Sequence, residues 1–385
     1  MMKKSPHLTL VCFSILICSI SAGCGDKSGS DTSGIQVTEL EDRKSDLEYE
    51  EILATVKERF PAQKYMSNAY LPAEEDFERF AESKTGLRKI RVGMPWIMSD
   101  GFSPIYIGIE KGFFEQVGLE VDLFAGGPGR DHLQTLVGGQ VDFAITADGM
   151  NLPVFAASRT TGDVVGLASF LKKNPVAYLS LDSGVEQSES SDDIVRPEDF
   201  LDTTIGVIRG RTHYVEFLVD HFNLDPNRVR VRWTGSTPDA LITGVVDHWA
   251  AWILAQPRML EQNGYQNWRP FFFHDLGWKQ YCDIVVVRRE TLEKDPDLPR
   301  RFLAALAEAV DFYLEQPDQA AEITSRYSTD VDYSPNEVKR RFDIEREYVR
   351  GDDELPLLHM SADRWDEVTA LLVKYGMIDD EAFRN

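Results

Sequence analysis

Two heptapeptides, LVGGQVD at 136–142 and LITGVVD at 241–247, occupy the same place in two copies of one element order. In each, a helical stretch ends at glycine and an apolar strand begins at Val-Asp. The first copy reads as a strand over 89–94 and a helix opened by Ser103-Pro104, the Ser serving as N-cap, that runs to about 116. An alternating strand over 119–124, the loop Gly126-Gly127-Pro128-Gly129, a helix to Val137 and a strand over 141–145 follow. The second copy has a strand over 204–208, a helix from Gly210-Arg211-Thr212 to about 222, an alternating strand over 228–233, a helix over 238–243 and a strand over 246–252. A β-α-β-α-β run closes into a parallel sheet with right-handed crossovers, so the repetition predicts an α/β protein of two doubly wound lobes. The middle strand of each copy alternates charge with apolar residues: Glu120 and Asp122 in one, Arg228, Arg230 and Arg232 in the other. A strand buried on both faces cannot carry that pattern, which places these strands at sheet edges in the order 2-1-3.

A chain of 385 residues is long enough for two cores. The apolar segments 175–181 and 282–287 are expected to carry the chain out to the second lobe and back. Lobe I then comprises 87–176 and 284–385, and lobe II 177–283. The Ser/Glu/Asp-rich stretch 183–193 reads as an exposed loop. Beyond Arg289 the pattern is helical, with an amphipathic run over 299–314, a helix opened by Pro317, capping-box spacing at Ser334-Pro335-Asn336-Glu337 and a final helix over 361–375.

The N-terminus has Lys3-Lys4, an apolar run over 8–20 and then Ser21-Ala22-Gly23-Cys24. That is the layout of a secretory signal, and the run is too short for a comfortable membrane span. Its end resembles a bacterial lipoprotein cleavage box. The resemblance implies removal of residues 1–23, lipidation of Cys24 and an extracytoplasmic protein tethered to a membrane. Residues 24–45 have the composition of a flexible linker. Residues 46–86 form an acidic extension with two short helical patterns, which either packs as an outer flap or stays partly disordered.

A net charge of −23 without any basic block argues against nucleic acid as a partner. Cys282 is the one cysteine of the body, so neither a disulfide framework nor a cysteine-rich metal site can be built. The nucleophile elbow, the P-loop and the dinucleotide fingerprint are absent, and the histidines lack zinc-like spacing. Open α/β sheets bind ligands at the carboxyl ends of their strands. On those ends lie Trp96, Asp100, Ser103, Tyr106, Gly127, Gly129, Thr146 and Asp148 in lobe I, with Arg211, Thr212, Tyr214 and Trp252 in lobe II. Facing each other, they would line a cleft in which aromatic rings sandwich a planar ligand and helix starts donate N–H groups.

The run from Trp96 through Ser103-Pro104-Ile105-Tyr106-Ile107-Gly108 to Phe114, the turn at 126–129, the segment 139–144, Arg196 to Phe200 with 204–207, and 244–247 together resemble a family of solute-binding proteins of ABC importers. These are the nitrate, sulfonate and taurine binders and the binders of thiamine-pyrimidine precursors. The resemblance spans about 87–378. It implies the type II periplasmic-binding fold with a two-strand hinge, a small-molecule ligand, a permease and ATPase as partners, and a monomer without cofactor, metal or catalytic step. Trp96 resembles the tryptophan that precursor binders place after their first strand, implying a small polar, planar heterocycle. Nitrate, sulfonate or taurine-like anions are the alternative ligands, and a sensory subunit the alternative role. Fungal pyrimidine synthases share the resemblance but carry a cysteine-rich cluster that this chain lacks.

Overall fold

The computed structural model describes residues 35–39, 44–127, 132–158, 163–181, 195–329 and 334–379. The signal segment, Cys24, the 183–193 loop and Gly129 lie outside the described residues. Within them the strands are β1 (Ile35–Gln36), β2 (Arg88–Gly93), β3 (Leu119–Phe124), β4 (Phe143–Asp148), β5 (Val164–Leu171), β6 (Val176–Leu181), β7 (Thr203–Val207), β8 (Val229–Trp233), β9 (His248–Trp252), β10 (Trp268–Phe272) and β11 (Cys282–Arg288).

They form two sheets, ordered β3-β2-β4-β11-β5 and β1-β8-β7-β9-β6-β10. Each contains the expected 2-1-3 core of parallel strands, β3-β2-β4 and β8-β7-β9. Antiparallel strands extend each core: β11 joins β4 to β5, and β6 joins β9 to β10. The fold is the two-lobed α/β periplasmic-binding arrangement. In lobe I, β3 is an edge, and Lys89 on β2 reaches Asp122 at 3.1 Å across it. In lobe II the corresponding edge is covered. Ile35 and Gln36, counted with the flexible linker from composition, add an antiparallel strand to β8. An edge strand offers unpaired backbone groups, and a passing extended segment satisfies them whatever its composition.

The helix opened by Ser103 also differs from expectation. A 3-10 turn, Asp100–Phe102, precedes Ser103–Glu110, and Ser103 Oγ donates to the Asp100 carbonyl at 2.5 Å instead of capping. Gly112, at φ 72°, separates a second short helix, Phe113–Gln116.

The segments expected to cross between lobes lie each within one sheet. The chain leaves β5 and enters β6 through 172–175, and returns from β10 to β11 through 273–281. A third connection runs from the helix Pro335–Arg350 to the last helix, Ala362–Lys374. Chain order assigned that last helix to lobe I, yet Val368, Ala370, Leu372 and Val373 are buried with Phe217, Phe273 and Trp278 of lobe II. Its Trp365 faces the other way, against Tyr65 and Tyr281.

The acidic extension, 46–86, is folded and is part of both cores. The helix Tyr49–Arg59 sets Ile52 and Val56 into the lobe II cluster. Gly166 of β5 donates to the Tyr65 carbonyl and accepts from Ser67 N, and Phe80 of the helix Asp76–Glu82 is buried in lobe I. Its acidic residues lie on the outward face, which is why composition hid the buried Ile52, Val56, Tyr65 and Phe80.

Candidate functional site: the interlobe cleft

Lobe I contributes the carboxyl end of β4. Thr146, 4 % exposed, donates from Oγ1 to the Asp148 carbonyl at 3.0 Å and so fixes the turn that presents the Asp148 carboxylate. Asp148 Oδ1 accepts from Met150 N at 3.2 Å and from Gln280 Nε2 at 2.8 Å. Its other oxygen forms an ion pair with the Arg211 guanidinium, which comes from lobe II. Arg211 stands just before the helix His213–His221, whose N-cap, Thr212, makes no side-chain capping hydrogen bond and accepts from Val215 N and Glu216 N through its carbonyl. Gln280 Oε1 in turn accepts from Tyr214 Oη at 3.2 Å and Trp278 Nε1 at 3.0 Å. One hydrogen-bonded chain therefore runs Arg211, Asp148, Gln280, Tyr214 and Trp278, ending among rings buried in the lobe II core. Thr146, Asp148, Arg211, Thr212 and Tyr214 are brought close together, but the Tyr214 ring, expected on the cleft surface, is buried against Phe273 and Trp278 in the lobe II core. Gln280 and Trp278 belong with them but were missed, since they sit in the 273–281 return, whose turn at Gly277 (φ 103°) has no strand or helix pattern.

Burial sets the electrostatics here. His213, 1 % exposed, has neither ring nitrogen hydrogen-bonded, and burial with the Arg211 charge nearby pushes its pKa well down, so the ring is neutral. Burial pushes the Cys282 thiol up to about 12, with Asp283 adding to the shift, which leaves it an unreactive hydrophobe in β11.

The loop after β2 forms the other side. Trp96 is 41 % exposed, and its carbonyl accepts from Gly126 N at 2.9 Å. Gly126 is obligatory there, because a Cβ would stand 2.3 Å from the Met94 carbonyl oxygen. Gly127 follows at φ 149°. Asp100 is fully buried: Oδ1 accepts from Arg341 Nη1 at 2.6 Å, while Oδ2 has no hydrogen bond and lies 4.0 Å from Arg258 Nη1 of lobe II. Arg341 also donates to Glu345, which accepts from Tyr313 Oη at 3.0 Å. Tyr106 is in the lobe I core, stacked on Tyr327 at 4.7 Å, and so is away from the cleft surface. Trp252, half-buried at the end of β9, donates its backbone N–H to Gln256.

A cavity of about 420 Å³ opens between the lobes. Asp100, Glu337, Arg340, Arg341 and Glu347 line one wall, with Leu254, Arg258, Glu261, Trp268 and Phe272 opposite. Neither Trp96 nor Trp252 lines it. Arg258 and Arg341 had no sequence signal, because each is one arginine on an ordinary helix and only the fold brings them to Asp100.

The chain is 16% identical to the periplasmic aliphatic sulphonate-binding protein SsuA from Escherichia coli, with a TM-score of 0.58 over 76% of this chain and 94% of that one. To the alkanesulfonate-binding protein SsuA from Xanthomonas axonopodis pv. citri, bound to MOPS, it is 15% identical, with a TM-score of 0.54 over 77% and 96%. In sequence it is 25% identical over 243 residues to a 4-amino-5-hydroxymethyl-2-methylpyrimidine phosphate synthase of Aspergillus parasiticus, covering 59% of this chain and 67% of that protein. The family model described as NMT1/THI5 like matches residues 100–320, more than half of the chain. The chain belongs to the NMT1/THI5 like family.

Proposed function

We propose that this protein is the extracytoplasmic solute-binding component of an ABC importer, tethered through lipid on Cys24. It captures a small polar organic molecule between its lobes, and closure around the ligand presents a joined surface to a permease. The observation that carries this reading is the Asp148–Arg211 ion pair, made between lobes at the carboxyl ends of their strands. An interaction across the cleft that strengthens on closure couples binding to lobe geometry, as a capture protein requires. Family membership and the fold shared with sulfonate-binding proteins support it.

A planar heterocycle of the thiamine-pyrimidine class is the ligand first in line, on the exposed Trp96 beside the glycine turn. The named relative from Aspergillus parasiticus supports a second reading, an enzyme of pyrimidine synthesis. Mass spectrometry of small molecules released from the purified protein tests both. Recovery of one intact compound that raises the melting midpoint when added back supports capture. Conversion of that compound on incubation selects the enzyme. For the anchor, Cys24→Ala is expected to move the protein from the membrane to the soluble fraction.

A further inference from the structure

The two lobes meet through charge at a second place, one that capture as such does not require. Asp100 of lobe I is fully buried: Arg341 holds Oδ1, while Oδ2 accepts no hydrogen bond. Facing Oδ2 across the lobe boundary is Arg258, 4.0 Å away on the first turn of the helix Gln256–Gln262. At that separation the two are an ion pair just outside hydrogen-bond distance. Arg258 also acts on Glu337 of lobe I, whose carboxyl is held low first by its bonds to Ser334 and then by the charges of Arg258 and Arg340. Glu261 and Glu347 line the same cavity, so the boundary carries charge on both sides.

We infer that Arg258 is a latch of the cleft: as the lobes draw about 1 Å closer it seats on Asp100 Oδ2 in a charge-assisted hydrogen bond. The latch rests on the closing motion of the capture reading and not on the ligand. Oδ2 is already out of water in the described arrangement, so the last approach adds attraction without further desolvation of that oxygen. A guanidinium carries five N–H donors, so the seat does not require Arg258 to leave its other contacts. Both acids are fixed on lobe I by its own residues, Asp100 by Arg341 and Glu337 by Ser334, so the moving partner is lobe II. The Asp148–Arg211 pair has the same polarity, acid on lobe I and arginine on lobe II, and the two contacts therefore favour closure together.

The test uses the ligand-free mature protein with spin labels on Gln116→Cys and Gln262→Cys, one exposed position on each lobe, Cys282 being buried. Pulsed dipolar spectroscopy is expected to resolve a shorter and a longer interlobe distance. Arg258→Gln is expected to lower the ratio of shorter to longer by roughly tenfold, the loss of one hydrogen bond to a charged group. Arg258→Lys keeps the charge without the fork and is expected to fall between. Asp100→Asn is expected to match Arg258→Gln, and the double variant to add little to either, because all remove the same contact. Arg258→Gln leaves the Asp100–Arg341 bond in place, so it decides the matter even where Asp100→Asn fails to fold. Two distances whose ratio is unchanged in Arg258→Gln overturn the latch alone, as does a double variant in which the two losses add in full. A single distance in wild type and variants alike overturns the latch and the closing motion together.

Discussion

Asp283 combines two unfavourable conditions in one residue. It follows Cys282 at the start of β11 with φ at 52°, a left-handed conformation that few residues other than glycine, Asn and Asp accept. Its carboxyl is buried, and burial raises its pKa well above the ordinary value; Glu345 adds to the shift and Arg341 opposes it. With the folded pKa above the unfolded one, the group favours the native state fully only below about pH 4, where both states are protonated. That contribution is lost as pH rises from there through the folded pKa. Asp283→Asn keeps the backbone conformation and cannot ionise. The variant is therefore expected to match wild type near pH 4 and to exceed it in stability at pH 7 to 8. Urea midpoints across that range check it, and a variant less stable than wild type at pH 8 would refute the account. Glycine at 149 shows the opposite limit of what one residue must be. A Cβ there would sit 1.8 Å from the Tyr281 carbonyl oxygen, so the approach of β11 to the end of β4 requires its absence.

The helix Pro335–Arg350 shows where sequence chemistry is local enough to be read. Ser334 Oγ accepts from Glu337 N at 3.4 Å, and Glu337 Oε2 accepts from Ser334 N at 3.0 Å, the reciprocal cap that the spacing predicts. Ser334→Ala is expected to cost about 1 kcal/mol in urea denaturation. Because this helix carries Arg341, fraying of its first turn is also expected to loosen the contact of Arg341 with Asp100. The 2-1-3 order of both lobes was legible for the same reason, although the edge expected from charge alternation holds for β3 alone, since β1 covers β8. β10 was not legible. Its sequence Trp268-Arg269-Pro270-Phe271-Phe272 contains a proline, which lacks the ladder donor and argues against a strand. It survives as an edge, paired on one side with β6. The placement of the last helix against lobe II was equally hidden, because an amphipathic pattern states that a face is buried but never against which partner. In the site, Asp148 and Arg211 could be placed from strand ends and helix starts, whereas Gln280, Arg258 and Arg341 depend on contacts between segments far apart in the chain.

Three chain segments connect the lobes, and a single side chain ties them. Arg364, 8 % exposed at the start of the last helix, donates to the carbonyls of Lys172 and Lys279, one in each crossing segment. It also pairs with Asp352 and Asp353 of the third connection and lies 4.4 Å over the Tyr281 ring. Lys172, wholly buried, reinforces the tie through Asp353 and the Leu355 carbonyl. His274 and Lys279 hold Asp352 from the other side, and these partners outweigh burial and keep its carboxyl below the usual range. A hinge built in this way restricts the lobes to rotation about one cluster, because any separation must break hydrogen bonds to two crossings at once. The ordered extension adds a fourth strap, bonded to Gly166 of lobe I at Tyr65 and Ser67 and to the last helix through Tyr65 and Thr369. Arg364→Met removes the shared donor, leaving the Lys172 and Lys279 carbonyls without it and the partly exposed Asp352 and Asp353 with fewer cations. It is expected to cost about 2 kcal/mol, mainly through the carbonyls left without their donor. The effect should be localised: amides of 172–176 and 274–282 should lose exchange protection more than those of β2, β4 or β7. Ligand-induced closure in solution scattering should persist with a broader distribution of radii, since the crossings remain but no longer move together. Uniform loss of protection across both sheets would mean that Arg364 supports global stability alone, and the hinge would then have to be sought elsewhere.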